Sequence, residues 1–476
     1  VVTLLRASVL SDDEKALMVR LSTSLSKRAK HDARMDAYYE GRQRLDQIGL
    51  AVPPELRRFE TVVNWPRAVV DEVARRLDVR GFVMPGEDDA SEVLREGWEV
   101  NNLDSDAPLL SQETMITGRG FVTVGANEDD EGHPLIRVEP SRQMAATVDA
   151  RTRQMLGLLR SYKDADRARR RTLMLPNSTV WLRMSTSGWR VEDRDDHGLG
   201  RVPAVMFLNR RRPGEWWGES EMTDVIPITD AAARTLTNLQ VAQEGLAVPG
   251  RYIFGVDPSK MVDAKTGKPV PVWEAYYTAL MVHANSDARA GQFTAADLKN
   301  FTETVNHYGQ LAASVSGLPI RYFVVSTTNP AAEGAIRADE SRLVKNAERK
   351  QTDWGDGWGW VMGLYVRLRT NKWPETNRIS TLWFDPGTPT FSQRADAVQK
   401  LAGGRPLLSR RGAWTELGWS KPRMDTEQAY FDAESEDPYV TALAAKDVAA
   451  LAAVAPVPPV TPPMAHGPAP VPAVVG

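Results

Sequence analysis

The residues of this chain that could do chemistry are scattered. Phosphate handling needs a glycine-rich cradle closed by Lys and a hydroxyl residue, and the nearest fragment is Thr266-Gly267-Lys268-Pro269. It lacks the upstream glycine and the hydroxyl after Lys268, and Pro269 opposes the helix that should follow. Acidic groups collect at Glu128–Glu131 and Glu192–Asp196, each bounded by Gly and His, where a divalent cation is conceivable. Solvated hairpin turns explain both runs more simply. The six histidines, at 31, 133, 197, 283, 307 and 466, are too far apart for a zinc motif, and there is no cysteine for disulfides or thiolate ligands. No Gly-x-Ser-x-Gly elbow occurs, so no triad is nominated. No catalytic residue, cofactor or metal is expected, and a chain of this size without such a constellation reads as structural.

Charge excludes another class. Lys and Arg number 59 against 62 Asp and Glu, a formal net charge of −3. Gripping DNA by bulk charge needs a basic excess, because affinity comes largely from counterion release at phosphates. Arg167–Arg171 and Arg210–Arg212 are local exceptions and read as solvated or interface faces. Trp354, Trp358 and Trp360 resemble a base-stacking platform, but their helical spacing favours packing in a core or between subunits. With 476 residues and 42% hydrophobic content, two to four domains are possible. No window approaches 18 consecutive apolar residues, and Asp12, Asp13 and Glu14 stand where a signal peptide needs an apolar run. Neither a membrane span nor Sec export is expected.

The elements that would position these residues are legible from periodicity. Ser11 to Glu14 has capping-box spacing ahead of Leu17, Leu21 and Leu25, which predicts a helix ending by Gly41. Helices are expected at 65–77 and 90–100. Short β-prone runs follow at 121–124, 135–138, 154–162, 179–184, 188–191 and 204–207. Met222 to Leu246 keeps helical spacing, with the regular part starting near Pro227. Strands are expected at 251–254 and 270–282. The stretch Thr294–Thr370 then sets two helices about a segment, Gly317–Asn329, that cannot be helical throughout. The second is expected to run about 35 residues, roughly 50 Å, capped by Asn329, Pro330 and Glu333 and kinked near Gly355–Gly359. A strand at 378–384 and short helices at 392–401 and 407–417 follow, and the Ala/Pro/Val-rich end from 452 reads as a disordered tail.

Five pieces in order resemble the portal proteins of tailed bacteriophages, of the long-tailed (siphophage) type. They are Tyr38 to Gly41 (Tyr-Tyr-Glu-Gly); Asn64 to Asp71 leading to Gly81-Phe82; Val202 to Asn209; Gly218 to Glu221; and Gly317 to Pro319 with Ser326 to Glu333 ahead of Ala347 to Gln351. The resemblance implies an α+β portal fold: an α/β wing (1–218), a two-helix stem (219–248 and 294–316), a small β-containing clip (249–293), a tunnel loop (317–332), a long kinked helix (333–370), and a C-terminal wing or crown segment (371–451) with short helices before the tail (452–476). It implies a ring, usually a dodecamer, at one capsid vertex of the virion, assembled in the host cytoplasm, through which double-stranded DNA is packaged and ejected without sequence specificity. Implied partners are the terminase large subunit, the major capsid and scaffolding proteins and a head-completion adaptor.

On that plan Ser326, Thr327, Thr328 and Asn329 are expected to line the channel, and Arg251, Tyr252, Lys265, Lys268 and Trp273 to meet terminase or adaptor. Ile336, Leu343, Trp354 and Trp358 are expected at a subunit interface. An uncharged polar loop suits a conduit, since each tightly neutralised phosphate would hold the DNA back. The alternatives are another phage structural protein, such as a capsid or adaptor subunit, and, less favoured, a packaging enzyme.

Overall fold

A computed structural model describes residues 9–43, 61–87, 90–246, 251–254, 289–292, 299–324, 333–374, 379–387, 391–403, 406–419 and 421–436. Two compact units, Val1–Thr388 and Pro389–Gly476, divide the chain. In the first, α1 (Asp12–Tyr39) begins on the expected capping box: Glu14 N–H donates to Ser11 Oγ at 3.2 Å, and Ser11 N–H donates to Glu14 Oε2 at 2.8 Å. These bonds satisfy two backbone donors that every helix start leaves open. Leu21 and Met18 turn inward against the sheet described below.

Helices α2 (Trp65–Ala74), α3 (Glu92–Val100) and α4 (Leu103–Thr117) surround β1 (Val79–Val83). Helix α4 lacks an amphipathic period, carries Pro108 inside it, and buries Ser111, Thr114 and Thr117, whose hydroxyls donate to carbonyls of their own helix. A sheet in the order β3-β2-β9 follows, from β2 (Arg119–Gly125), β3 (Leu135–Glu139) and β9 (Ala204–Leu208). A second, wholly antiparallel sheet runs in sequence order through β4 (Met144–Val148), β5 (Met155–Lys163), β6 (Arg169–Met174), β7 (Thr179–Ser185) and β8 (Gly188–Asp195). Its inner face, Ala145, Leu159, Leu173 and Val180, packs on α1.

Helix α5 (Ile226–Leu246) and α6 (Lys299–Ser316) lie side by side, and the strands after one and before the other, β10 (Arg251–Phe254) and β11 (Arg289–Gln292), pair antiparallel. The regular helix starts at Ile226, beside the expected start near Pro227, and residues 219–225 ahead of it are drawn into turns and cross-links. Helix α7 (Glu333–Thr370) is 38 residues long and crosses Gly355, Gly357 and Gly359 without a break. Beside the expected kink, these glycines have a second role, which is close approach. A Cβ on Gly357 would meet Phe207 of β9 at 2.6 Å, one on Gly359 would collide with the Ile379 carbonyl, and one on Gly355 would press on Trp383. Ile379 leads into β12 (Ser380–Trp383), which pairs with β1 and so returns the chain to this unit. Helix propensity is given up where neighbours need the room.

The core lies between α2, α3, α4, β9 and α7. Trp358 is 1% exposed, with ring centroids 4.9 Å from Trp98 and 5.3 Å from Phe207. In the second unit, α8 (Phe391–Ala402), α9 (Arg410–Glu416) and α10 (Lys421–Glu436) gather around Trp414, which stacks on Trp419 and Phe431. The expected strand at 270–282 and the tail from 452 lie outside the described residues.

Candidate functional site

The described residues of the five sequence pieces take part in cross-links between elements. Glycine makes one junction possible: Gly118 ends α4 with φ +92°, Gly218 has φ +63°, and a Cβ on Gly118 would stand 2.9 Å from the Glu219 nitrogen. Two backbones therefore run in contact where only glycine fits. Asn209 N–H donates to the Gly118 carbonyl at 2.9 Å, Glu219 N–H to the Asn209 carbonyl at 3.0 Å, and Glu221 N–H to the Met115 carbonyl at 2.8 Å.

This lacing sets Glu221 against α7. Lys350 Nζ lies 2.8 Å from Glu221 Oε2, and Asn209 Nδ2 donates to the same oxygen at 2.9 Å. Asn346 Nδ2 donates to Oε1 at 3.1 Å, and the Lys350 ammonium also donates to Asn209 Oδ1. Both ionic side chains are about nine-tenths buried. Burial alone would push the Glu221 carboxyl up, but the Lys350 charge and the hydrogen bonds from Lys350, Asn209 and Asn346 outweigh it and hold the group at about 2. One turn on, the Trp354 indole N–H donates to the Leu208 carbonyl at 3.0 Å, and Gln351 donates to the carbonyls of Arg76 and Phe384. Helix α7 is thus fastened to β9, to the approach to α5, and to β12.

The Tyr38-Tyr39 pair fastens the other side. Tyr38 Oη donates to both oxygens of Asp230 in α5, at 3.0 and 2.8 Å, and Tyr39 Oη to Asp71 in α2 at 2.8 Å. Burial and the Asp71 carboxylate push the Tyr39 phenol up to about 12, so it stays a donor throughout the physiological range. Deeper still, Arg119 is 1% exposed, ion-paired with Asp32 at 3.3 Å and covered by Trp217 at 4.4 Å. Burial draws Arg119 down to about 10, against the pull of Asp32.

The base of the segment expected to line a channel is anchored on both sides. Arg321 pairs with Asp339 at 3.0 Å and with Glu340, and Arg342 donates to the Ser314 carbonyl at 3.3 Å, which ties the end of α6 to the first turns of α7. Phe323 is buried edge-on against Trp65. Ser326, Thr327, Thr328 and Asn329 lie outside the described residues, as do Lys265, Lys268 and Trp273. Arg251 and Tyr252 stand on β10, opposite Gln292 and Gly291. Of the four residues expected between subunits, Leu343, Trp354 and Trp358 are 1%, 3% and 1% exposed within this one chain, so its own core accounts for their burial. Ile336, 37% exposed, presents its side chain outward. Spacing marked that stripe as apolar but could not say which molecule covers it. Glu221 and Lys350 each fall in one of the five pieces, but nothing in the sequence pairs them, since polar partners far apart in the chain have no period.

The sequence matches the family model described as "Phage portal protein, SPP1 Gp6-like" over residues 22–438. It is 37% identical over 398 residues to the portal protein of Mycobacterium phage D29, covering 81% of each chain. To the portal protein of Mycobacterium phage L5 it is 35% identical over 423 residues, covering 86% of each. Among solved structures, a chain from the neck of an empty gene transfer agent particle aligns at 14% identity and a TM-score of 0.47, over 79% of this chain and 95% of its own. A chain from the virion of a native gene transfer agent particle aligns at 14% identity and 0.43, over 79% and 96%. By the extent of the family match and the identity to two phage portal proteins, the chain belongs to the SPP1 Gp6-like family of phage portal proteins.

Proposed function

We propose that this portal protein is a passive conduit whose uncharged loop, Ser326 to Asn329, lines the narrowest part of the DNA channel and is held by the α6–α7 junction. Family membership gives the portal role itself: a homo-oligomeric ring at a capsid vertex of the virion, through which DNA passes and head joins tail, with no enzymatic step of its own. Twelve copies, each supplying α5 and α6 as its stem, are the assembly we infer. The segment between β10 and β11, with Arg251, Tyr252, Lys265, Lys268 and Trp273, would meet the terminase large subunit during packaging and a head-completion adaptor afterwards. The wing would face the major capsid and scaffolding proteins.

The observation that carries the reading is the anchoring on either side of the loop. Ion pairs from Arg321 to Asp339 and Glu340, and the Arg342 bond to Ser314, fix where the chain leaves α6 and enters α7. The hydroxyl and amide groups of Ser326 to Asn329 would offer a moving polyanion hydrogen bonds but no trapped phosphate. Electron microscopy of the purified protein tests the assembly: closed twelve-fold rings with a central hole are expected, and shells, filaments or monomers would refute it. Thr327→Arg and Thr328→Arg test the loop. Rings should still form while DNA packaging falls, and undiminished packaging in both variants removes the loop from the channel wall.

A further inference from the structure

The second sheet carries a concentration of positive charge that the conduit does not use. Its β5–β6 and β7–β8 hairpins turn at the same end, and there strand pairing sets like charges opposite one another: Lys163 faces Arg169, and Arg170 faces Arg183, which faces Arg190. Directly opposed cations destabilise a sheet. Only part of that cost is relieved within the chain, where Arg170 takes Asp164 at 2.5 Å together with Glu192, and Arg190 donates to the Ser187 hydroxyl at 3.2 Å. Among the described residues no carboxylate pairs with Lys163, Arg169, Arg171 or Arg183.

Alternation along the strands divides these cations between the two faces of the tip. Lys163, Arg169 and Arg171 share one face with Met184 and Trp189, around a depression of about 520 Å³. Arg171 lies over the Trp189 ring, 4.1 Å from its centroid, and its buried Nε has no hydrogen-bond partner among the described residues. Stacking of this kind fixes the guanidinium plane before any ligand arrives. Arg170, Arg183 and Arg190 occupy the opposite face.

We propose that this sheet tip is a second DNA contact, one that holds the sugar–phosphate backbone of double-stranded DNA rather than letting it slide. The inference rests on the portal reading, which supplies DNA as the abundant polyanion beside the protein. An acidic protein partner fits less well. A peptide would seat in one groove with apolar anchors, whereas here the cations wrap both faces and the two aromatics lining the depression, Trp189 and Tyr162, already carry Arg171 and Arg160 over their rings. Phosphates spaced along a rod meet charges spread around a tip, and no base contact is needed for that.

The test uses the assembled full chain and a short random-sequence duplex, with binding read by fluorescence anisotropy across roughly 50–200 mM salt. Lys163, Arg169 and Arg183 are exposed, so the triple variant K163Q/R169Q/R183Q should fold. The expected result is weaker binding, with the slope of log affinity against log salt reduced by about 2.7, near 0.9 for each phosphate contact removed. The charge-preserving R183K should keep the slope. An unchanged slope in the triple variant overturns the proposal. So does a triple variant that keeps its DNA affinity while losing binding to polyglutamate, which would reassign the tip to an acidic protein. Ring images of the same samples report on the portal reading separately.

Discussion

Lys350 of α7 and Glu221 of the turn before α5 form a buried ion pair at 2.8 Å, closed by Asn209 and Asn346. A buried pair contributes little net stability, because desolvation offsets most of the attraction, yet removing one partner strands a charge. Glu221→Gln should therefore cost about 3–5 kcal/mol in unfolding free energy. Glu221→Gln combined with Lys350→Met should recover much of that loss. Urea denaturation of the two variants checks both statements. Equal losses in single and double variants would mean that the pair is not the source of the effect.

The same carboxyl makes stability depend on acid. Its folded value is depressed from 4.5 to about 2. Its contribution is therefore complete above pH 4.5 and is lost as pH falls through about 2, a difference on the order of 3 kcal/mol. Thermal melts between these limits should show a drop in the native chain that is smaller in the Glu221→Gln, Lys350→Met double variant. Identical acid profiles would place the titrating group elsewhere.

Three glycines of α7 separate propensity from packing. Ala is favoured over Gly in a helix interior by about 1 kcal/mol, so Gly363→Ala, whose Cβ would meet nothing within 4 Å, should stabilise by roughly that amount. Gly357→Ala should instead destabilise by about 1–3 kcal/mol, because Phe207 is 2% exposed, packed on Trp358, and has nowhere to retreat. Gly359→Ala should behave likewise against the Ile379 carbonyl, a backbone group that cannot rotate away. Thermal unfolding of the three variants checks the order.

These glycines also show what could be read from the sequence. A run of four in a long helix signals a local peculiarity, and a bend is the natural inference when neighbours are unknown. The neighbours, Phe207 and Ile379, come from β9 and from the residue leading into β12, and no helical period reports them. The capping box of α1 and the outlines of β2, β3, β5, β7 and β9 were legible because their determinants are local. Helix α4 was not, since its surroundings are protein on several sides and Pro108 falls within it. Strand β6 was hidden by its arginines, which the pairing of a tip, rather than strand propensity, holds in place. The site behaved similarly: its motifs were visible as residues, while their convergence on Glu221 and Lys350 needed the fold.

The outward side chain of Ile336 and the inward one of Trp358 predict opposite consequences for assembly. Trp358→Ala removes an indole packed between Trp98 and Phe207 and should cost about 3–5 kcal/mol of stability, with fewer rings only because less protein folds. Ile336, exposed in the single chain, has no such intramolecular role, so Ile336→Asp should leave the melting temperature of the unassembled chain nearly unchanged. If the first turns of α7 meet a neighbouring subunit, the new carboxylate would be buried there unpaired, and rings should give way to monomers at matched concentration. Light scattering coupled to size-exclusion chromatography distinguishes the outcomes. Intact rings with Ile336→Asp would show that no neighbour covers this position, and the subunit contact would have to lie on another face.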